Sequence, residues 1–105
     1  MAQFDVYANE SPSSKQAYPY ILDIQNDLIS DLTTRLVIPL GRKADLNQQV
    51  LQNLTPEVEY KDEALLLLVP QLSSMPAKLL KKPIGSLAHL RDDIISAIDF
   101  AITGF

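Results

Sequence analysis

The 105-residue sequence contains no cysteine and no tryptophan, and it has only three glycines and one histidine. Without cysteine there can be no disulfide framework, no thiolate nucleophile and no thiolate metal ligand. The glycines, Gly41, Gly85 and Gly104, are too scattered to form a phosphate-binding loop. His89 stands alone and lacks the spacing of a metal-ligand motif, so a surface or helix-capping role is favoured over catalysis. The sequence therefore predicts no catalytic residues, no metal and no cofactor.

Positive charge is also scarce. Nine Lys and Arg residues face 13 Asp and Glu residues, which gives a formal net charge of -4 and a pI near 4.7. Such a chain repels phosphate backbones, so protein partners are favoured over DNA or RNA. The acidic pairs Asp62–Glu63 and Asp92–Asp93 are adjacent in sequence. Neighbouring side chains on a helix or strand point apart, so these pairs predict solvated faces rather than a general acid and base.

Long hydrophobic runs are absent as well. The longest apolar run, 64–70, is far shorter than the roughly 20 residues of a membrane span. The opening MAQFDVYANE is polar and acidic, unlike a secretion signal. A hydrophobic fraction of 47% and a charged fraction of 21% are typical of a globular domain. We expect a single domain spanning residues 1–105, soluble and located in the cytoplasm, with no membrane contact.

Most of the chain has the composition of short strands. Alternating or continuous apolar residues predict strands at 3–7, 18–25, 35–40, 57–60 and 63–71, the last buried on both faces. Pro39 is expected to end or distort the third of these strands, because proline cannot donate a ladder hydrogen bond. Residues 9–16 read as an exposed loop. The pattern at 45–54 fits either a helical stripe or irregular structure.

One helix is predicted, from Ser86 as its N-cap to about Ile102. Its apolar residues recur every three or four positions: Leu87, Leu90, Ile94, Ala97, Ile98, Ala101 and Ile102. Together with the strands, this predicts a mostly antiparallel sheet or small barrel with a C-terminal helix packed across it.

The residues after this helix, Thr103, Gly104 and Phe105, suggest a binding function. Glycine commonly follows the last turn of a helix because it adopts a positive φ without a Cβ clash. Phe105 comes directly after it, so an aromatic ring is expected at the end of a rigid helix. Contact of that ring with a partner or a second subunit is at least as probable as packing within the chain.

Several segments occur in the order seen in one known family. They are QFDVY, YPYILDIQNDLI with its Asp23, Gln25 and Asp27 pattern, RLVIPL, LSSMP, and LRDDIISAIDFAITGF. In these segments the sequence resembles the CcdB family, the toxins of bacterial toxin–antitoxin pairs that poison DNA gyrase. The weakest stretch is 41–60.

This resemblance implies an SH3-like barrel with a long C-terminal helix that forms a homodimer. Family members insert between the arms of the gyrase A subunit dimer and trap the covalent cleavage complex with DNA, without performing chemistry themselves. A CcdA-like antitoxin neutralises the toxin. The two proteins together repress their own operon, and the antitoxin makes the DNA contacts.

The resemblance also implies roles for individual residues. The gyrase-contacting C-terminus matches Thr103, Gly104 and Phe105, and further positions of the gyrase and dimer face match Asp99, Leu28, Ile29 and Phe4. Antitoxin contacts are expected at Asn9, Ser11, Ser13, Arg42 and Asp45. The family's plasmid-encoded member has tryptophan where this chain has Thr103, isoleucine at Phe105 and asparagine at Asp99.

Two alternatives remain at the level of sequence. A MazF- or Kid-like toxin on the same kind of barrel would cleave messenger RNA, but it would need a basic groove and convergent acid–base residues. A degenerate relative would bind the antitoxin and leave gyrase unharmed, and the threonine at position 103 keeps that reading open.

Overall fold

In the part of the chain that the structure describes, a curled antiparallel sheet is covered by a C-terminal helix. The computed structural model describes residues 2–26, 33–42 and 55–104. The strands are β1 (Asp5–Ala8), β2 (Tyr20–Asp23), β3 (Thr34–Arg42), β4 (Glu57–Tyr60), β5 (Glu63–Leu67), β6 (Ser73–Pro76) and β7 (Gly85–Ser86), and the helix is α1 (Arg91–Thr103). Their order is β4-β5-β3-β2-β1-β7, with β6 also paired to β3. This confirms the predicted mostly β, barrel-like fold with a terminal helix.

Strand β3 organises the sheet because it pairs with three neighbours. Its residues 37–40 pair with β2, residues 40–42 pair with β5, and residues 34–37 pair with β6. The two ends of β3 thus carry different partner strands on one side, and the sheet curls between them into a half-barrel.

Pro39 does not end or distort β3 as the sequence predicted, since the strand continues to Arg42. Pro39 lies opposite Ile21 in the β2 pairing, and its carbonyl accepts a hydrogen bond from the Leu68 backbone N–H at 3.1 Å. Proline lacks a backbone N–H but keeps its carbonyl as a hydrogen-bond acceptor. It is therefore compatible with a strand wherever no neighbouring group requires that N–H.

The main core lies between the inner face of the sheet and α1. It combines apolar side chains from β1 to β5 with the helix residues Ile94 and Ala97. A smaller cluster on the outer face consists of Tyr7, Ile21, Val37 and Leu80. The two clusters together place apolar side chains on both faces of the sheet.

Strand β5 is buried on both faces, as predicted, with residues 65–69 all buried. The predicted end at Gln71 is wrong, because β5 ends at Leu67 and residues Val69–Gln71 form a 3₁₀ turn. Pro70 lies in that turn and cannot supply the N–H that a continuing strand would need.

The helix begins later than the sequence predicted. Ser86 lies in β7 opposite Asp5, and its Oγ accepts a hydrogen bond from the Ala88 N–H at 3.1 Å, at the start of a 3₁₀ turn. Ser86 therefore precedes that turn and is not the N-cap of α1, which starts at Arg91. The apolar stripe is also shorter than predicted, because Ala101 is exposed and Ile102 is 74% exposed.

The structure also contains strands that sequence patterning missed. β6 and β7 are short, and their residues are mostly exposed, so neither carries an apolar alternation. The ambiguous segment 45–54 lies outside the described residues.

Gly85 allows β7 to approach the ring of Tyr60. A Cβ atom at residue 85 would overlap the Tyr60 hydroxyl and lie 2.8 Å from Cε1 and Cζ of the ring. That hydroxyl donates to the Ile84 carbonyl at 3.1 Å, and the ring meets Tyr20 edge to face at 5.2 Å between centroids. The ring is therefore held in place and cannot move aside freely.

We expect Gly85→Ala to lower the free energy of unfolding by about 1 to 3 kcal/mol through overpacking, measured by urea denaturation. A Tyr60→Phe change in the same chain should recover part of the loss, since it removes the most severe overlap but leaves the ring. A Gly85→Ala protein as stable as the wild type would show that the ring moves at little cost.

Candidate functional site

The C-terminal end of α1 brings together several of the predicted gyrase-binding residues on an exposed surface. Asp99, Thr103 and Gly104 are exposed, as is Ile102 between them. The Thr103 hydroxyl donates to the Asp99 carbonyl at 2.6 Å, one turn earlier. Gly104 is left-handed at φ 79°, and its N–H donates to the Phe100 carbonyl at 2.9 Å. The helix thus ends in an ordered cap, while Phe105 lies outside the described residues.

Phe4 is not at this surface. It is 3% exposed in the main core and adopts a positive φ of 70°. Its N–H donates to the Asp23 carbonyl at 2.6 Å, and its carbonyl accepts from the Leu87 N–H at 2.8 Å. The residue therefore links the sheet to the segment that precedes α1, and its ring is not accessible in the single chain. Leu28 and Ile29 lie outside the described residues.

The predicted antitoxin-binding residues that the structure describes lie on one loop and at the end of β3. The Asn9 side-chain amide donates to Ser14 Oγ at 3.0 Å and to the Tyr18 carbonyl at 2.8 Å, and Asn9 Oδ1 accepts from the Ser11 N–H at 3.0 Å. Ser11 and Ser13 share a hydroxyl hydrogen bond of 3.2 Å and are exposed. Asn9 therefore shapes the loop from within.

Arg42 connects this loop to the sheet. Its Nη1 donates to the Gln16 carbonyl at 3.0 Å, and its Nε lies 2.7 Å from Glu63 Oε2. The structure thus places Arg42 against the end of the predicted antitoxin loop, although the two are far apart in sequence. Asp45 lies outside the described residues.

A buried ion pair between Asp23 and Arg35 joins β2 to β3, and no sequence pattern predicted this pairing. Arg35 and Asp23 are both 0% exposed, with Nη2 and Nε of Arg35 at 2.7 and 2.9 Å from Asp23 Oδ2. Asp23 Oδ1 accepts the Gln25 N–H at 2.9 Å. Burial raises the pKa of the Asp23 carboxyl, and the hydrogen bonds from Arg35 and Gln25 oppose that rise. Polar residues inside an otherwise apolar strand were the available signal for this structural pair.

A groove of about 560 Å³ runs between β4 and α1. Glu57 and Glu59 from β4 lie on one side of it, and Asp93 from α1 lies on the other. The sequence predicts a solvated Asp93, and its position opposite β4 depends on two elements that are distant in sequence.

His89 is exposed in the 3₁₀ turn before α1. Within residues 2–26, 33–42 and 55–104, no group of three or more His, Cys, Asp or Glu side chains is arranged to hold a metal ion. Over the same residues, no helix is both long and apolar enough to cross a membrane.

The curled antiparallel sheet with one helix across it defines a small barrel-like domain whose helix end is exposed. Comparison with protein-family models matches residues 3–104 to the CcdB protein family. The chain therefore belongs to the CcdB family, the toxins of toxin–antitoxin systems. This family poisons gyrase by binding and not by catalysis.

Proposed function

We propose that this protein binds the A subunit of DNA gyrase through the exposed end of α1 and traps the cleavage complex of gyrase with DNA. The observation that carries this proposal is the exposed apolar end of the helix, where Ile102 is 74% exposed directly before Thr103 and Gly104. Burial of such an exposed aliphatic side chain by a partner lowers the free energy of the complex. The protein acts as a homodimer in the cytoplasm, where its target works.

The rigidity of the helix end supports a binding role. Ile94 and Ala97 anchor α1 in the core, and the Gly104 N–H and the Thr103 hydroxyl close the last turn. A surface that is already ordered loses little conformational entropy when it binds. The few residues at the end of this ordered helix can therefore contribute most of their contact energy to affinity.

Phe105 supplies the aromatic contact in this proposal. The family's plasmid-encoded member has tryptophan where this chain has Thr103, and here the aromatic residue instead follows Gly104. Aromatic side chains near the centre of an interface carry a large share of binding energy. Asp99, Leu28 and Ile29 contribute further gyrase contacts in this proposal, and Phe4 supports the helix from the core.

A cognate CcdA-like antitoxin neutralises the protein by binding the loop that carries Asn9, Ser11 and Ser13, together with Arg42 and Asp45. The contact of Arg42 with Gln16 supports the grouping of Arg42 with this loop. The toxin and antitoxin together repress their operon. Since the toxin has a net charge of -4, the antitoxin makes the DNA contacts.

A plasmid-cleavage assay tests the proposal. Purified gyrase, ATP and supercoiled plasmid are incubated with the protein, and detergent and protease then release any trapped breaks as linear DNA. We expect linear DNA that depends on both gyrase and the protein, with an RNA substrate left intact in a parallel reaction. Cleaved RNA without linear DNA would instead identify a ribonuclease, and no product in either reaction would indicate a relative that only binds antitoxin.

A further inference from the structure

We propose, on the basis of the function proposed above, that the groove between β4 and α1 receives a lysine- or arginine-bearing segment of the gyrase A subunit. The groove has an apolar floor and an acidic rim, and each of these matches one part of such a side chain. The aliphatic stem of lysine or arginine packs on apolar surface, while its charged head requires an acidic partner.

The floor of the groove is apolar. Val58, Leu67, Ile94 and Ala97 are buried beneath it, and Leu90 and Phe100 are partly buried along it. These side chains come from both the sheet and the helix, so the floor is part of the packed core and keeps its shape.

The rim of the groove is acidic. Glu57 and Glu59 lie on the strand side and Asp93 lies on the helix side, while the described residues that line the groove include no lysine or arginine. Arg91 is the arginine closest in sequence to Asp93. Its guanidinium lies 3.6 Å from the carboxylate of Asp92, which does not line the groove. Carboxylates on both sides of one cleft reinforce each other's attraction for a cation above a low-dielectric floor.

The groove is continuous with the proposed gyrase-binding end of α1. Phe100 lines the groove, and its carbonyl accepts the Gly104 N–H at the helix terminus. A partner that covers Ile102 and Gly104 is therefore adjacent to the open groove. Gyrase must bind DNA through basic surfaces, so it offers the cations that an acidic groove attracts.

The test compares two variants that each remove two negative charges. Glu59→Gln with Asp93→Asn neutralises both sides of the groove, whereas the matched control, Asp62→Asn with Asp92→Asn, neutralises exposed carboxylates that do not line it. Binding to the purified gyrase A subunit is measured by calorimetry at low and high salt. We expect the groove variant to bind about 10-fold more weakly at low salt, with a reduced salt dependence, and the control to stay within about two-fold of the wild type.

A second variant tests the groove by blocking it without changing its charge. Ser96 is exposed and lines the groove, so Ser96→Trp would fill the groove while leaving the carboxylates in place. We expect a comparable loss of gyrase binding, with a thermal unfolding midpoint near that of the wild type.

The outcomes separate this inference from the proposed function. Wild-type protein that does not bind or trap gyrase would overturn both. Wild-type trapping together with unchanged gyrase binding by the groove and steric variants would overturn only the groove assignment. Loss of antitoxin neutralisation with intact gyrase binding would assign the groove to the antitoxin and would also overturn the inference.

Discussion

Replacement of Arg35 by methionine is expected to lower the free energy of unfolding by about 3 to 5 kcal/mol, because it leaves the Asp23 charge buried without a partner. Both side chains are 0% exposed, and the two nitrogens of Arg35 that bind Asp23 lie within 2.9 Å of its carboxylate. Urea denaturation followed by circular dichroism measures the change. The loss amounts to a large fraction of the stability of a small domain, so much of the variant should be unfolded at physiological temperature.

Two further variants identify the cause of that loss. Adding Asp23→Asn to Arg35→Met removes the uncompensated charge and keeps an acceptor for the Gln25 N–H, so part of the stability should return. Arg42→Met is the matched control, because its ion pair with Glu63 is 34% and 36% exposed. We expect a cost of about 1 kcal/mol or less there. Equal losses for Arg35→Met and Arg42→Met would contradict a dominant role for burial.

Deletion of residues 103–105 is expected to abolish gyrase-dependent linear DNA in the plasmid-cleavage assay while leaving the fold intact. Thr103 and Gly104 are exposed, and each donates a hydrogen bond to a carbonyl of the last helical turns, as described above. Their removal exposes no core surface, so the thermal unfolding midpoint should shift little. The trapping activity should fall because the proposed contact residues are absent.

The control for this deletion lies at the other end of the same helix. Asp92→Asn changes an exposed residue in the first turn of α1, so trapping and stability should both remain close to wild type. A truncated protein that unfolds would show that the last residues are structural. A truncated protein that folds and still traps gyrase would remove the helix end from the proposed binding surface.

Local sequence patterns were sufficient to predict the main elements. Alternation at 57–60 corresponds to β4, and the apolar run that follows contains a segment buried on both faces, residues 65–69. The three- and four-residue spacing of Ile94, Ala97 and Ile98 predicted the packed face of α1. These predictions succeeded because each element shows one periodic face to the core.

The errors in the fold prediction occurred where pairing between distant residues decides the outcome. Pro39 lies within a strand because Leu68 donates to its carbonyl, whereas Pro70 lies in the turn that follows β5. Local sequence treats both prolines alike. The missing N–H matters only when a neighbouring strand requires it, and that requirement depends on the sheet.

The candidate site was predictable in part. The resemblance placed the gyrase-binding residues at the end of α1, and the structure shows that end exposed, but it also places Phe4 in the core. Neither the Asp23–Arg35 pair nor the acidic groove was predicted. Each depends on residues from separate strands or from a strand and a helix, which no local pattern brings together.

The sequence by itself determined the class of this protein: acidic, without cysteine, rich in short strands, with one amphipathic helix and motifs sufficient for family membership. Composition, periodicity and short motifs are local properties, so they can be determined from the sequence without knowledge of the fold. Only the tertiary structure decided that Arg35 neutralises Asp23 and that Glu59 and Asp93 face each other across an apolar floor. Burial and charge proximity depend on which distant segments meet, and that is a property of the folded chain.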